Sequence, residues 1–206
     1  MLLDSASHKL ISIVFACFVL FLAVTLNMNV SQANPLQEGP ANKNSHEQFL
    51  QLFDYEIQNR AYALNTIRGQ LEIIETNELR RFYNAYLALE QLNQQLYSPI
   101  AKTYQLEMSP RWWTRIRTQL GIWLAAMRSD ISTLKFYHKI ASNYLEQLQT
   151  LENQAPEESR QFFTYVFAQE QVQAESLGLA IEGQILAAAE LLDSFVASHK
   201  SIGKHN

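Results

Sequence analysis

Phe82-Tyr83-Asn84-Ala85-Tyr86-Leu87-Ala88-Leu89-Glu90-Gln91-Leu92-Asn93 decides the fold, because Phe162-Phe163-Thr164-Tyr165-Val166-Phe167-Ala168-Gln169-Glu170-Gln171-Val172-Gln173 repeats its pattern eighty residues later. In both stretches aromatic and aliphatic residues recur at the three- and four-residue spacing of an amphipathic helix. In both, a glutamate stands in the middle of the apolar face. At about 100° per residue, Glu90 falls among Leu79, Phe82, Tyr83, Tyr86, Leu87 and Tyr97. Glu170 falls among Phe163, Val166, Leu177, Ile181, Ala188 and Phe195. A carboxylate on such a stripe costs on the order of several kcal/mol unless a cation, a metal or a proton neutralises it. Each glutamate therefore needs a partner inside the protein.

The surrounding sequence agrees with a helical reading. Only 6 glycines and 5 prolines occur in 206 residues, and no Val/Ile/Thr run alternates with period two. The class is all-α, and the length suits one domain with a sizeable core. A first helix is expected over about 46–75, with Phe49, Leu52, Phe53, Ile57, Leu64, Ile67, Leu71 and Ile74 on one face. Asn77 is a candidate cap for a second helix that Pro99 ends or kinks. Ser109-Pro110 restarts a helix. From Pro110 to Asn153 only Gly121 and Ser129-Asp130 interrupt the pattern. Unbroken, that would be roughly 65 Å, so a bend is expected near Ser129. Pro156-Glu157-Glu158 opens the last helix, whose stripe continues to about Ser198 and which Gly178 or Gly183 interrupts. The expected architecture is a four-helix antiparallel bundle with a long crossover. Its second and fourth helices match.

Before the bundle lies an apolar leader. Leu10 to Leu26 has only Ser12 and Thr25 as polar residues, with Lys9 ahead of it. Ser31-Gln32-Ala33 places small residues for a cut before Asn34. Residues 1–33 read either as a cleaved signal peptide or as an uncleaved membrane anchor. Residues 34–45 read as a linker, 46–200 as the bundle and 201–206 as a disordered tail. The body is expected outside the cytoplasm, periplasmic or held at the membrane. The one cysteine, Cys17, is in the leader, so the bundle has no disulfide and no thiolate chemistry. A net charge of -4 argues against nucleic acid as a partner.

The polar residues on the apolar faces form one constellation. Glu56 and Glu90 stand on consecutive helices, 34 residues apart. Arg60 follows Glu56 by one turn. Asn93 follows Glu90, and Gln173 follows Glu170, by three residues, so each pair shares a helix face. His138 lies at the edge of the third helix's stripe. The residues suggest Arg60 forked between Glu90 and Glu170, with Asn93 and Gln173 completing the hydrogen bonds. The alternative is that the helices are rotated differently and the glutamates lie at the bundle's edge.

Helix count, the 34-residue offset and the paired positions resemble the ferritin-like superfamily. Ile140 to Leu151, Glu175-Ser176-Leu177-Gly178-Leu179 and the Pro110 to Gly121 stretch look most like its demethoxyubiquinone hydroxylase branch. That resemblance implies a carboxylate-bridged di-iron site built from Glu and Glu-x-x-His. Here the corresponding segments read Glu90-Gln91-Leu92-Asn93 and Glu170-Gln171-Val172-Gln173, without histidine. The expectation is thus no metal and no catalytic residue. The rival is an iron-dependent oxidoreductase that uses Glu56, Glu90, His138 and Glu170.

Pro110 to Arg128 holds all three tryptophans and four arginines, and no acid. Trp112, Trp113, Ile116, Leu120, Trp123, Leu124 and Met127 share one arc, flanked by Arg111, Arg115, Arg117 and Arg128. Two readings remain open. One is a core helix whose arginines reach out to water. The other is a membrane-surface helix in which Arg111, Trp112, Trp113, Arg115, Arg117 and Trp123 meet lipid headgroups. The resemblance favours the second, since hydroxylases of that branch meet a membrane-dissolved quinone through this region. The function expected is that of a binding or accessory protein of the cell envelope, with its protein partner unknown.

Overall fold

A computed structural model describes residues 41–200, with side chains from residue 45 onward. The leader and the 201–206 tail fall outside the described residues. Among those residues the chain is all-helical, with six α-helices and a single 3-10 turn. These are α1 (Ala41–Ile73), α2 (Asn77–Thr103), α3 (Trp112–Ala126), α4 (Asp130–Gln154), α5 (Arg160–Ile181) and α6 (Ile185–His199). The 3-10 turn, Glu157–Ser159, leads into α5. The described residues from Asn42 onward form a compact unit of their own.

Cross-helix contacts fix the directions. Glu56 meets Tyr97 and Arg60 meets Glu90, so α2 runs antiparallel to α1. Gln48 meets Gln154 and Glu56 meets Tyr144, so α4 is antiparallel to α1 as well. Phe49 packs edge-on against Phe163 and Arg60 pairs with Glu170, so α5 runs parallel to α1. These four helices enclose the core. At its lower end Phe49, Phe53, Tyr104, Phe162 and Phe163 pack as an aromatic cluster. Such ring pairs add to the burial of their area. α6 folds back on α5 and covers α2, with Ser176 bonded to the Ala188 carbonyl and Arg81 paired with Asp193.

α3 is the crossover. It runs parallel to α1 along the bundle's outside and returns the chain to the end where α4 begins. The Arg111 amide and the Thr114 hydroxyl both donate to the Gln58 Oε1, at 3.0 and 2.7 Å. The buried Gln58 thereby serves the amide of the α3 cap residue from across the interface. Close approach is possible because the facing residues are small. A Cβ built on Gly69 of α1 would sit 2.3 Å from the Ile122 Cδ1, and one on Gly121 would sit 2.8 Å from the Tyr62 hydroxyl.

Three element boundaries differ from the sequence expectation. α1 begins at Ala41, inside the stretch assigned to a linker. α2 passes through Pro99 to Thr103, because the proline removes only one amide and sits on an exposed face. It stops where Gln105 takes a left-handed φ of 57°, and the Leu106 amide bonds the Ala101 carbonyl at 2.8 Å. The 110–153 helix is two antiparallel helices and not one bent rod, broken between Ala126 and Asp130. The last helix is interrupted at Gly183, one of the two positions expected, where a φ of 83° that glycine adopts without a steric penalty reverses the chain. No described helix is long and apolar enough to cross a membrane.

Candidate functional site

The amphipathic registers of α1, α2, α4 and α5 bring their polar residues to one level of the core. Arg60 stands at its centre, 6% exposed. Its Nη2 donates to Glu170 Oε2 at 2.8 Å and its Nη1 to Glu90 Oε1 at 3.0 Å. Nη1 also meets Gln169 Oε1 and Gln173 Oε1, both at 3.2 Å. Nε lies 3.0 Å from Glu56 Oε1, close enough for an ion pair but off the line of a hydrogen bond. Five side-chain oxygens from three helices thus surround one guanidinium.

A second ring of donors holds the carboxylates. Tyr97 and Tyr144 donate to the two oxygens of Glu56, at 2.6 and 2.7 Å. Asn93 donates to Glu90 Oε2 at 3.2 Å and to Gln169 Oε1 at 3.1 Å, and accepts from Tyr165 at 2.6 Å. Gln173 donates to Glu90 at 3.3 Å and to Gln169, and accepts from Tyr86 at 2.7 Å. Glu56, Arg60, Glu90, Asn93, Glu170 and Gln173 therefore meet in one network. Gln169, Tyr86, Tyr97, Tyr144 and Tyr165 belong to it too, although the sequence reading did not include them. Their signal was weak: tyrosines on inward stripes, and a glutamine adjoining Glu170.

Three carboxylates share one cation, and the electrostatics reflect it. Burial alone would lower the Arg60 pKa, but the fields of Glu56, Glu90 and Glu170 outweigh it and hold the guanidinium charged. Burial raises Glu90 above the usual carboxylate range, against the pull of Arg60. Burial also raises Glu170 to about 7, with Arg60 opposing and the other two glutamates assisting. Burial pushes the Tyr86, Tyr97 and Tyr144 hydroxyls well up, so they act as neutral donors. The arrangement can hold a proton, but it leaves no nucleophile free.

His138 does not join this network. It is half-buried and lies against Gly178 of α5. The set Glu56, Glu90, His138 and Glu170 is therefore not brought together as metal ligands. Among the described residues no His, Cys, Asp and Glu side chains group to hold a metal. The chemistry of the centre also fits a di-iron site poorly. Such iron sites pair imidazole with carboxylate, whereas here the carboxylates face the Arg60 guanidinium and their other neighbours are carboxamides and tyrosine hydroxyls.

α3 is turned opposite to a core helix. Its buried residues are Thr114, Thr118 and Ala125. Trp112 is 73% exposed, Met127 59%, Ile116 51% and Trp123 46%, and all four lie on the outward stripe. This overturns the reading of a core helix with arginines reaching outward. Arg115 is exposed beside the stripe, and Trp113 is half-buried. Arg111 is engaged by Asp54 at 2.7 Å. Arg117 turns inward, its guanidinium 4.0 Å from the Tyr62 ring centre and bonded to Asn59 at 3.0 Å. These two arginines tie α3 to α1, because the small inner face of α3 leaves room for a long side chain there.

No protein-family model matches the chain, and no curated protein or solved structure matches it either.

Proposed function

We propose that this chain is an exported or membrane-anchored accessory protein of the cell envelope. In this reading it is a ferritin-like bundle whose metal place is taken by Arg60, and it lies against a membrane surface through α3. The observation that carries the reading is the orientation of α3. Trp112, Ile116, Trp123 and Met127 face outward as one stripe. Arg115 stands exposed beside it, with no acid between Met108 and Ser129. Indole at the headgroup level and arginine on lipid phosphate suit that composition. The Arg60 cluster supports the accessory role, since a side-chain cation already fills the place its carboxylates face.

The test is flotation of the chain starting at Asn34 with vesicles of phosphatidylcholine and phosphatidylglycerol. The chain should float, and Trp112→Ala/Trp123→Ala should remain at the bottom with an unchanged melting temperature. No flotation of either form, or equal flotation of both, removes the membrane role. Elemental analysis of protein from iron-supplemented cells tests the other half. Near-stoichiometric iron or manganese would restore the oxidoreductase reading.

A further inference from the structure

The Arg60 layer satisfies its buried polar groups almost completely. A second polar layer, roughly 9 Å further along α1, does not. Thr66 and Gln70 on α1 and Thr133 on α4 are buried, and Tyr137 on α4 is half-buried. Thr66 Oγ1, Gln70 Nε2, Thr133 Oγ1 and the Tyr137 hydroxyl are buried atoms with no hydrogen-bond partner in the protein.

The helix register places them within about two turns of one another, Tyr137 level with Tyr62, Thr133 with Thr66, and Gln70 one turn further. Tyr55 of α1 stacks edge-on against Tyr144 of α4, with ring centres 6.0 Å apart. Continued upward, that antiparallel register sets Tyr62 beside Tyr137 and Thr66 beside Thr133. The Tyr137 hydroxyl lies within electrostatic reach of Tyr62, of Tyr83 on α2 and of Arg128. The Tyr62 hydroxyl lies near Thr66 without closing a bond of good geometry. Threonine and valine have almost the same shape. Plain packing here would be served by valine, while a buried hydroxyl without a partner bears its full desolvation cost.

The donor set indicates the ligand class. The unpaired Gln70 Nε2 donates, and the three hydroxyls both donate and accept. None of the four is charged. Two cations stand at its margin, both engaged with rings: Arg128 rests its guanidinium 5.0 Å from the Phe136 ring centre and Arg117 lies 4.0 Å from the Tyr62 ring centre. The four groups themselves offer an anion no counter-charge and a cation no carboxylate. Aromatic side chains from α1, α2 and α4 flank the layer.

We propose that Thr66, Gln70, Thr133 and Tyr137 form a buried binding site for a small neutral oxygen-bearing molecule, a carbonyl compound or an alcohol. The site is separate from the Arg60 cluster and from the α3 face, and it stands whether or not either functions as argued above.

The test uses the full-length protein, with acetamide and glycerol as carbonyl and alcohol probes, in probe-observed NMR and thermal unfolding. At least one probe should give saturable binding and raise the melting temperature. Thr66→Val/Thr133→Val should weaken that binding by about tenfold or more, the loss of one hydrogen bond's worth of affinity. Should that pair fail to fold, Gln70→Leu and Tyr137→Phe, made singly, should weaken the binding in the same direction. No saturable binding of either probe to the wild type would overturn the site. So would binding that the substitutions leave unchanged. A valine pair that melts higher than wild type, with no probe bound by either protein, would show the four atoms to be merely unpaired and would overturn it as well.

Discussion

Arg60 Nη2 lies 2.8 Å from Glu170 Oε2, joining residues that stand 110 apart in the sequence. The same guanidinium reaches Glu90 and Glu56, so a single cation links α1, α2 and α5. Its loss would leave three carboxylates buried at one level. Arg60→Met should therefore destabilise the fold by about 3 kcal/mol or more. Urea unfolding at pH 7 followed by tryptophan fluorescence measures this. A change below about 1 kcal/mol would mean the cluster does not hold the bundle together. Arg60→Met/Glu170→Gln should recover part of the loss, since one of the stranded charges is gone.

Glu170 gives the protein a pH dependence of predictable sign. Its pKa is raised from 4.5 to about 7 in the folded protein, chiefly by burial, so the folded state holds the proton more tightly than the unfolded chain. Unfolding between these values releases a proton, and stability falls as pH rises through the window. Glu90, shifted in the same direction by burial, adds to the slope. Melting temperatures between pH 4.5 and 8 should decline for the wild type. Glu170→Gln, which mimics the protonated form, should decline less. An equal slope in both proteins would place the titration elsewhere.

Gly69 tests how α3 is seated. A Cβ at this position would lie 2.3 Å from the Ile122 Cδ1 and 2.7 Å from its Cγ1, and a β-branched side chain in a helix has little freedom to move aside. Gly69→Ala should cost about 1–3 kcal/mol despite the better helix propensity of alanine. The companion change Ile122→Ala should relieve the clash, and the double variant should be more stable than Gly69→Ala alone. If Gly69→Ala instead stabilises the protein, α3 is not held against α1 at this distance.

The Arg60 cluster was largely legible because its members obey helical periodicity. A glutamate at Glu90 and one at Glu170 on apolar stripes required a cation, and Arg60 was the cation on a facing stripe. Tyr97 and Tyr144 were less legible. A tyrosine on an inward stripe reads as packing until its hydroxyl is placed against a particular oxygen. His138 shows the reverse: its type suggested a ligand, and its placement beside Gly178 removed it from the cluster.

By itself the sequence determined the all-helical class, the main helices and the need for an internal counter-ion, because each follows from short-range periodicity and the cost of burying charge. Only the tertiary structure decided that the 110–153 stretch doubles back and that α3 shows Trp112 and Trp123 to the outside. Both turn on which face of α3 can approach α1 most closely. Gly69, Gly121, Thr114 and Thr118 settle that through steric fit between helices distant in sequence, which no single helix's hydrophobic pattern contains.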